Sequence, residues 1–285
     1  MKKFIKTITV LAVTVLLFSC EAEEDRNSLP DITLSPSDIT ITVTQNPDNE
    51  NVVTMTNNTP NVIPYWSYKD ANGNELGRSN RNQLTVTLPF AGEYSVHFTA
   101  FTRGGGVEAP PVTINIAEND DSYFSDAEWG YLTNGVEGKT WELNMAEPIG
   151  WAGFDYPYNP NGTDYWNWFP DYAGNSWVME NKDWGEMSFN LDGGYNVSVT
   201  QTALNNNTQT TKTGNFSFDI ENNTLNFNGG VEMLYGGDYY LDVSNWSSLK
   251  VVELTENSMR LSVVRDQSRQ GEDPCQIVFH FKPKE

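Results

Sequence analysis

The densest concentration of side chains able to do chemistry lies between Trp151 and Tyr172. There WAGFDYPYNPNGTDYWNWFPDY places nine aromatic residues in twenty-two positions, against 13% aromatic residues over the whole chain. Six of the nine tryptophans fall between Trp141 and Trp184, and no Lys or Arg occurs between Lys139 and Lys182. Rings without local cations, set among carboxamides and carboxylates, suit a neutral, hydroxyl-rich ligand. A sugar offers an apolar C–H face that lies against an aromatic plane, and hydroxyls that pair with Asn, Asp and Glu. The candidate stacking surfaces are Trp151, Phe154, Tyr156, Tyr158, Tyr165, Trp166, Trp168 and Tyr172, with Asn167, Asp164 and Asp171 as candidate hydrogen-bond partners. In an extended segment Trp166 and Trp168 flank Asn167 and point the same way, about 6–7 Å apart. Trp and Tyr are also ordinary core residues; Trp141, Trp177 and Trp184, closer to the flanking strands, are expected in the core.

Carboxylates raise a second chemistry. A glycosidase needs two facing acids roughly 5–10 Å apart, and Asp155, Asp164, Asp171, Glu180, Asp183 and Glu186 are available. Their spacing matches no hydrolase signature, and a chain with 38 acidic residues offers such pairs by chance. No catalytic residue is therefore assigned, and a glycoside hydrolase is kept as the alternative. His97 and His280 are the only histidines, each in a strand-like run without a second His or Cys at metal spacing, so both read as structural. A structural calcium stays open, because oxygen ligands abound. Asp70-x-Asn72-x-Asn74 opens like a calcium loop, but Glu75 stands where glycine is required and no acid closes the loop, so a hairpin turn accounts for it. Asn119-Asp120-Asp121 reads as an exposed linker. No P-loop, dinucleotide fingerprint or nucleophile elbow is present, and no cofactor is expected.

The elements that must position the rings are β-strands. Pro157, Pro160 and Pro170 with Asn161-Gly162 exclude a long helix or a central strand, so the aromatic stretch reads as a long loop or broken edge segment. Before it, period-two alternation marks strands at 39–44, 62–68, 84–88, 93–100 and 112–116, with turns at Asn72-Gly73, Ala91-Gly92 and Gly104-Gly105-Gly106. Ser125 to Glu128 has capping-box spacing and starts a short helix through Leu132, ended at Asn134-Gly135. A second β domain opens at Lys139–Leu143 and resumes after the loop at 186–190, 195–202, 214–219, 224–227, 249–254, 259–264 and 276–281. Short turns between successive strands favour a meander, closed as a barrel or folded as a sandwich, with a jelly roll as the rival. The expected fold is all-β: an immunoglobulin-like sandwich at 35–117, a linker with a short helix at 118–136, and a larger aromatic-rich antiparallel β domain at 137–285.

The N-terminus has its own pattern. Lys2, Lys3 and Lys6 precede an apolar run from Ile8 to Phe18, too short to span a bilayer, which reads as a signal peptide over residues 1–19. Residues 20–34 are an acidic, polar tether. Without residues 1–19 the chain keeps 14 basic against 38 acidic residues, a formal charge of −24. That charge excludes nucleic acid as a partner and attachment to anionic lipid by charge. If Cys20 is consumed at the N-terminus, Cys275 has no disulfide partner, and its alternating context makes it a buried apolar filler.

Four resemblances attach to these residues. Leu17-Phe18-Ser19-Cys20 resembles the lipobox of bacterial lipoproteins, which implies lipidation at Cys20. Glu21-Ala22-Glu23-Glu24-Asp25 behind it is similar to the export signal of Bacteroidetes-type lipoproteins on the outer face of the outer membrane. Trp66, Asp70-Ala71-Asn72-Gly73, Gly92-Glu93-Tyr94-Ser95-Val96 and the final VTINI strand resemble a PKD-type domain, a family of spacer and interaction modules. Gly138–Trp141 and the KVVELTENSMRLSVVRD hairpin are similar to lipocalin-like lipoprotein domains. Together the architecture resembles the surface glycan-binding lipoproteins of Bacteroidetes polysaccharide-utilisation systems. That resemblance implies a lipid-anchored outer-membrane protein facing the exterior, which holds polysaccharide for a SusC/SusD-type importer. A structural or accessory lipoprotein without glycan binding is the other reading.

Overall fold

The computed structural model describes residues 30–285; the signal segment, Cys20 and the acidic run after it lie outside the described residues. The described chain is all-β, in two units.

The first unit is a sandwich of two antiparallel sheets. β1 (Ile41–Asn46), β2 (Asn49–Asn57) and β5 (Gln83–Thr87) form one sheet. β4 (Glu75–Ser79), β3 (Ile63–Asp70) and β6 (Gly92–Thr102) form the other; β7 (Gly105–Glu108) pairs with the end of β6 and β8 (Val112–Ile116) with its start. Alternation fixes the packing: Val53 and Met55 face Trp66, Val96, Phe98 and Ile114 across the sandwich, all buried. The Tyr94 hydroxyl donates back to the Phe90 carbonyl at 2.8 Å, pinning the start of β6. The Asp70–Asn74 segment is a hairpin turn: Asp70 Oδ1 accepts from the Asn72 and Asn74 amides, and Gly73 takes φ +82°.

The second unit is an eight-stranded closed barrel. β9 (Lys139–Leu143), β12 (Gly185–Asn190), β13 (Asn196–Thr202), β14 (Gln209–Asp219), β15 (Thr224–Phe227), β16 (Ser248–Leu254), β17 (Met259–Arg265) and β18 (Cys275–Pro283) pair antiparallel in chain order, and β18 closes onto β9. This is a meander; the jelly-roll alternative does not describe it. The interior is packed rather than hollow, with Trp141, Met187, Phe189, Leu225, Leu261, Phe279 and Phe281 fully buried.

Helix α1 (Ala127–Thr133) belongs to the barrel more than to a linker. Trp129 and Leu132 enter the barrel core, and the Leu132 carbonyl accepts the Trp141 indole N–H at 3.0 Å. Asp126, not Ser125, is its N-cap, and no side-chain capping bond forms, so the expected capping box is absent. Asn134 ends the helix in the left-handed region. Phe90 from the sandwich packs on Tyr195 and Phe124 at this end of the barrel, and Asn119 Nδ2 donates to the Leu191 carbonyl. Asp120 is buried rather than exposed: it accepts from Ser122, Tyr123 and Asn49 and so braces the junction.

Candidate functional site

The aromatic stretch is an excursion of the strand that closes the barrel. β9 pairs with the end of β18 through Leu143 opposite Phe281, and β10 (Ile149–Ala152) resumes on the same strand with Ile149 opposite Phe279. β10 then pairs outward with the two-residue β11 (Asn167–Trp168). These short strands inside the loop had no alternation long enough to announce them. Both ends of the loop are clamped onto the outer barrel wall. Gln276 Nε2 donates to the Gly153 and Tyr156 carbonyls, Lys250 Nζ to those of Phe154 and Tyr156, and the Tyr172 amide to the Ala146 carbonyl. Gly153 has no room for a side chain, since a Cβ there would collide with the Asp164 backbone and the Trp166 indole.

Register places Trp151 directly opposite Trp168, and their indoles stack at 5.2 Å between centroids with 21° between planes. Trp177 continues the stack, 6.1 Å from Trp168 and again at 21°. Tyr239 meets Trp151 edge-on at 5.8 Å. Trp177 was expected in the core, and that expectation is corrected: it is 67% exposed, whereas Trp141 and Trp184 are buried as expected. The reason is local. Val178 and Met179 are the buried anchors of the turn at Ser176–Val178, the Tyr239 hydroxyl holds the Val178 carbonyl at 2.7 Å, and the Tyr172 hydroxyl holds that of Met179 at 3.0 Å. With its neighbours fixed inward, the indole is left pointing out.

The stack lines a 520 Å³ cleft, and Trp166 also lines it. A second hollow of 910 Å³ continues past Trp177 and contains Tyr172, Tyr239 and Arg269. Both lie at the end of the barrel where β17 ends and β18 begins, opposite the end that carries α1 and the sandwich. The expected platform therefore divides. Trp151, Trp166 and Trp168 are together in the cleft, and Tyr172 lies beside it. Tyr156 packs with Tyr165, Phe169, Ala152 and Val278 in a separate cluster on the barrel wall. Tyr158 lies on Lys250 and donates to the Val251 carbonyl at 2.5 Å, while Phe154 is exposed outside the cleft. Phe154, Tyr156, Tyr158 and Tyr165 thus do not join the platform.

The carboxylates hold the loop. Asp164 accepts the Phe154 amide at 2.7 Å and the Trp166 indole N–H at 2.8 Å; Asp155 accepts the Asp164 amide and Asn159; Asp171 accepts the Gly174 amide. Backbone and Asn159 hydrogen bonds hold the Asp155 carboxyl below its ordinary range. Asn167 is exposed beside the rings and supplies backbone pairing to Ala152. Asp183 accepts the Gly185 amide, Glu186 pairs with Lys284, and Glu180 faces Lys182. Among the described residues no group of three or more His, Cys, Asp or Glu is arranged to hold a metal.

Cations do reach the rings, which the local sequence hid. Arg265 and Arg269 enter the cleft from the β17–β18 loop. Arg269 is committed: Nε lies 2.7 Å from Asp242, Nη1 3.1 Å from Asp238, and Nη2 donates to Asp242 and to the Asp238 carbonyl. These hydrogen bonds raise its pKa further above the ordinary arginine value. Arg265 donates to the Asp273 carbonyl and faces Glu272. With Asp242 and Glu272 also in the lining, the cleft carries as many positive as negative side chains.

His280 is buried on the outer side of β18, with Nε2 3.0 Å from Ser258 Oγ and Nδ1 3.2 Å from the Glu147 carbonyl, while Arg260 binds Glu147 at 2.6 Å. The grouping has the reach of a hydrolase triad, yet the Ser258 hydroxyl lies against Glu253 and its amide donates to Thr255 Oγ1. Burial, then the neighbouring Arg260, lowers the His280 pKa below its ordinary value. Cys275 is buried at the cleft edge, and burial pushes its thiol up.

Trp177, Tyr239, Arg269, Asp238 and Asp242 are the site residues sequence reasoning missed. Only Trp177 had a local signal, the turn-forming Gly174-Asn175-Ser176 before it; the others arrive by barrel closure. Neither a protein-family model nor any curated protein sequence matches this chain.

Proposed function

We propose that this protein is a cell-surface lipoprotein that captures neutral polysaccharide, with a β-glucan favoured, by stacking sugar rings on the exposed end of the Trp151–Trp168–Trp177 stack. The reading rests above all on Trp177. An indole left 67% exposed at the mouth of a cleft, with the Val178 and Met179 carbonyls that follow it pinned by two phenol hydrogen bonds, is unusual on a surface without a ligand. Because each indole in the stack covers a face of the next, the free surface is the outer face of Trp177 with the edges of Trp168 and Trp166. The balanced charge of the lining supports a neutral chain over an acidic one, since the Arg269 guanidinium that would clasp a uronate is already turned to Asp242 and Asp238, and Arg265 faces Glu272 and the Asp273 carbonyl.

The position of the cleft supports the surface role. The tether enters the sandwich, the sandwich meets one end of the barrel, and the rings occupy the other end, away from the proposed lipid on Cys20. A protein so arranged would present polysaccharide outward to a SusC/SusD-type importer and to neighbouring hydrolases. PKD-like spacing by the first unit belongs to the same proposal. Titration of cello-, laminari- and manno-oligosaccharides by calorimetry, with reducing-end release measured in parallel, tests it: heat of binding without release is the expected result. Release that disappears in Asp→Asn variants while binding persists would make the protein a glycoside hydrolase instead.

A further inference from the structure

The sandwich carries an apolar patch at its free end. Ile63 on β3 is 65% exposed and stands opposite Phe101 on β6, itself 42% exposed. Tyr65 meets the Phe101 ring edge-on at 6.2 Å, and any side chain at Gly106 would strike that ring. By strand alternation all three lie on the outer face of the five-stranded sheet, at the end of β6 away from the barrel. The described chain begins at the same end. Pro30 and Asp31 press so closely on Gly104 that a Cβ there would be 2.6 Å from the Pro30 carbonyl, and Ile32, 49% exposed, lies against Gly105. Charge here is mixed in sign although the chain as a whole is strongly acidic: Arg103 occupies the hairpin turn and Arg78 sits beside Tyr65, with Asp31 and Glu108 nearby.

We propose that this patch docks onto the lipid bilayer to which the chain is tethered. The inference rests on the reading of Cys20 as the lipidated residue. Only residues 21–29 separate Cys20 from Pro30, so the covalent chain can reach at most about 35 Å. The patch is therefore held close to the head-group layer, where Ile63, Tyr65 and Phe101 can sink roughly 5–10 Å into the boundary with the acyl chains. One lipid signal plus an apolar contact holds better than the lipid alone. Docking leans the sandwich onto its outer sheet face. The eleven residues of β6 then set the barrel about 35 Å further along the module.

The test uses residues 21–285 with an N-terminal hexahistidine tag, captured on phosphatidylethanolamine–phosphatidylglycerol vesicles that contain a nickel-chelating lipid. Capture by the tag makes the result independent of whether Cys20 is acylated in the cell, which metabolic labelling with palmitate decides separately. An Ile63→Cys variant carries an environment-sensitive fluorophore, and Cys275, 2% exposed, does not compete for the label. On vesicles, emission should rise about twofold or more and shift to the blue, as expected for entry into the interface. The same label at Tyr123→Cys, by the barrel junction, should not respond. Phe101→Glu should abolish the response at position 63 while leaving the circular dichroism unchanged. An unchanged Ile63→Cys signal on vesicles overturns the proposal. So does a signal that rises with protein concentration in the absence of vesicles, because the patch would then be covered by a second copy of the chain.

Discussion

Replacing Trp177 by Ala separates a ligand platform from a core residue more sharply than any other single change. Its side chain is already two-thirds in water and anchors nothing itself, since Val178 and Met179 do that. Folding stability should therefore move by no more than about 0.5 kcal/mol. Binding is different. A sugar ring on the free indole face would cover roughly 60–80 Å², which at about 25 cal/mol per Å² is roughly 1.5–2 kcal/mol, or about a ten- to thirtyfold loss of affinity. The measurements are a calorimetric titration with the tightest neutral oligosaccharide and a thermal melt of the same preparations. Trp141→Ala is the contrasting control: Trp141 is fully buried and bonded to the Leu132 carbonyl, so its loss should cost about 3–5 kcal/mol of stability. The reasoning fails if Trp177→Ala binds as well as the parent, or if it lowers the melting temperature as Trp141→Ala does.

Further outcomes follow from the same geometry. Asp164→Ala removes the acceptor shared by the Phe154 amide and the Trp166 indole, so ligand affinity should fall severalfold with a stability loss near 1 kcal/mol; hydrogen exchange should rise at residues 153–166 and stay unchanged in β12–β15. Arg269→Ala strands the buried Asp242 carboxylate and should cost about 1–3 kcal/mol, read by urea unfolding. His280 has a folded pKa below its ordinary value of 6.5, so the unfolded chain takes up a proton before the folded one does. Its contribution is full above pH 6.5 and is lost as the pH falls below that value toward the folded pKa; the melting temperature should drop on acidification through this window, and His280→Gln should flatten the slope. Cys275 should react with a thiol reagent only on unfolding, whereas appreciable reaction in the native protein would contradict its burial.

What could be read beforehand followed the strength of alternation. Val112–Ile116, Lys139–Leu143 and Thr224–Phe227 fall where their patterns place them, because apolar residues there mark one face without interruption. β2 was passed over because Asn49, Asn51 and Asn57 mask the Val53–Met55 face, and the first half of β14, Gln209–Thr213, because it is polar on both faces. The Gly104–Gly106 run reads as a turn, yet β7 begins inside it at Gly105, whose φ of +140° glycine adopts without strain. In the cleft, the two-residue spacing singled out Trp166 and Trp168, both of which line it, but not the stacking of Trp168 between Trp151 and Trp177. The outward direction of Trp177 was not legible, since it depends on Val178 and Met179 finding the barrel core. The arginines could not be seen either: Arg265 and Arg269 lie about a hundred residues from the rings in sequence and reach them only because β18 closes the barrel beside β10.

Affinity gel electrophoresis of the chain from residue 21 in gels cast with laminarin, xylan, mannan or alginate tests the central claim most directly. Retardation by at least one neutral glycan, lost in Trp177→Ala and kept in Phe154→Ala, is the expected result. Migration unaffected by every neutral glycan, or slowed by alginate alone, would contradict it.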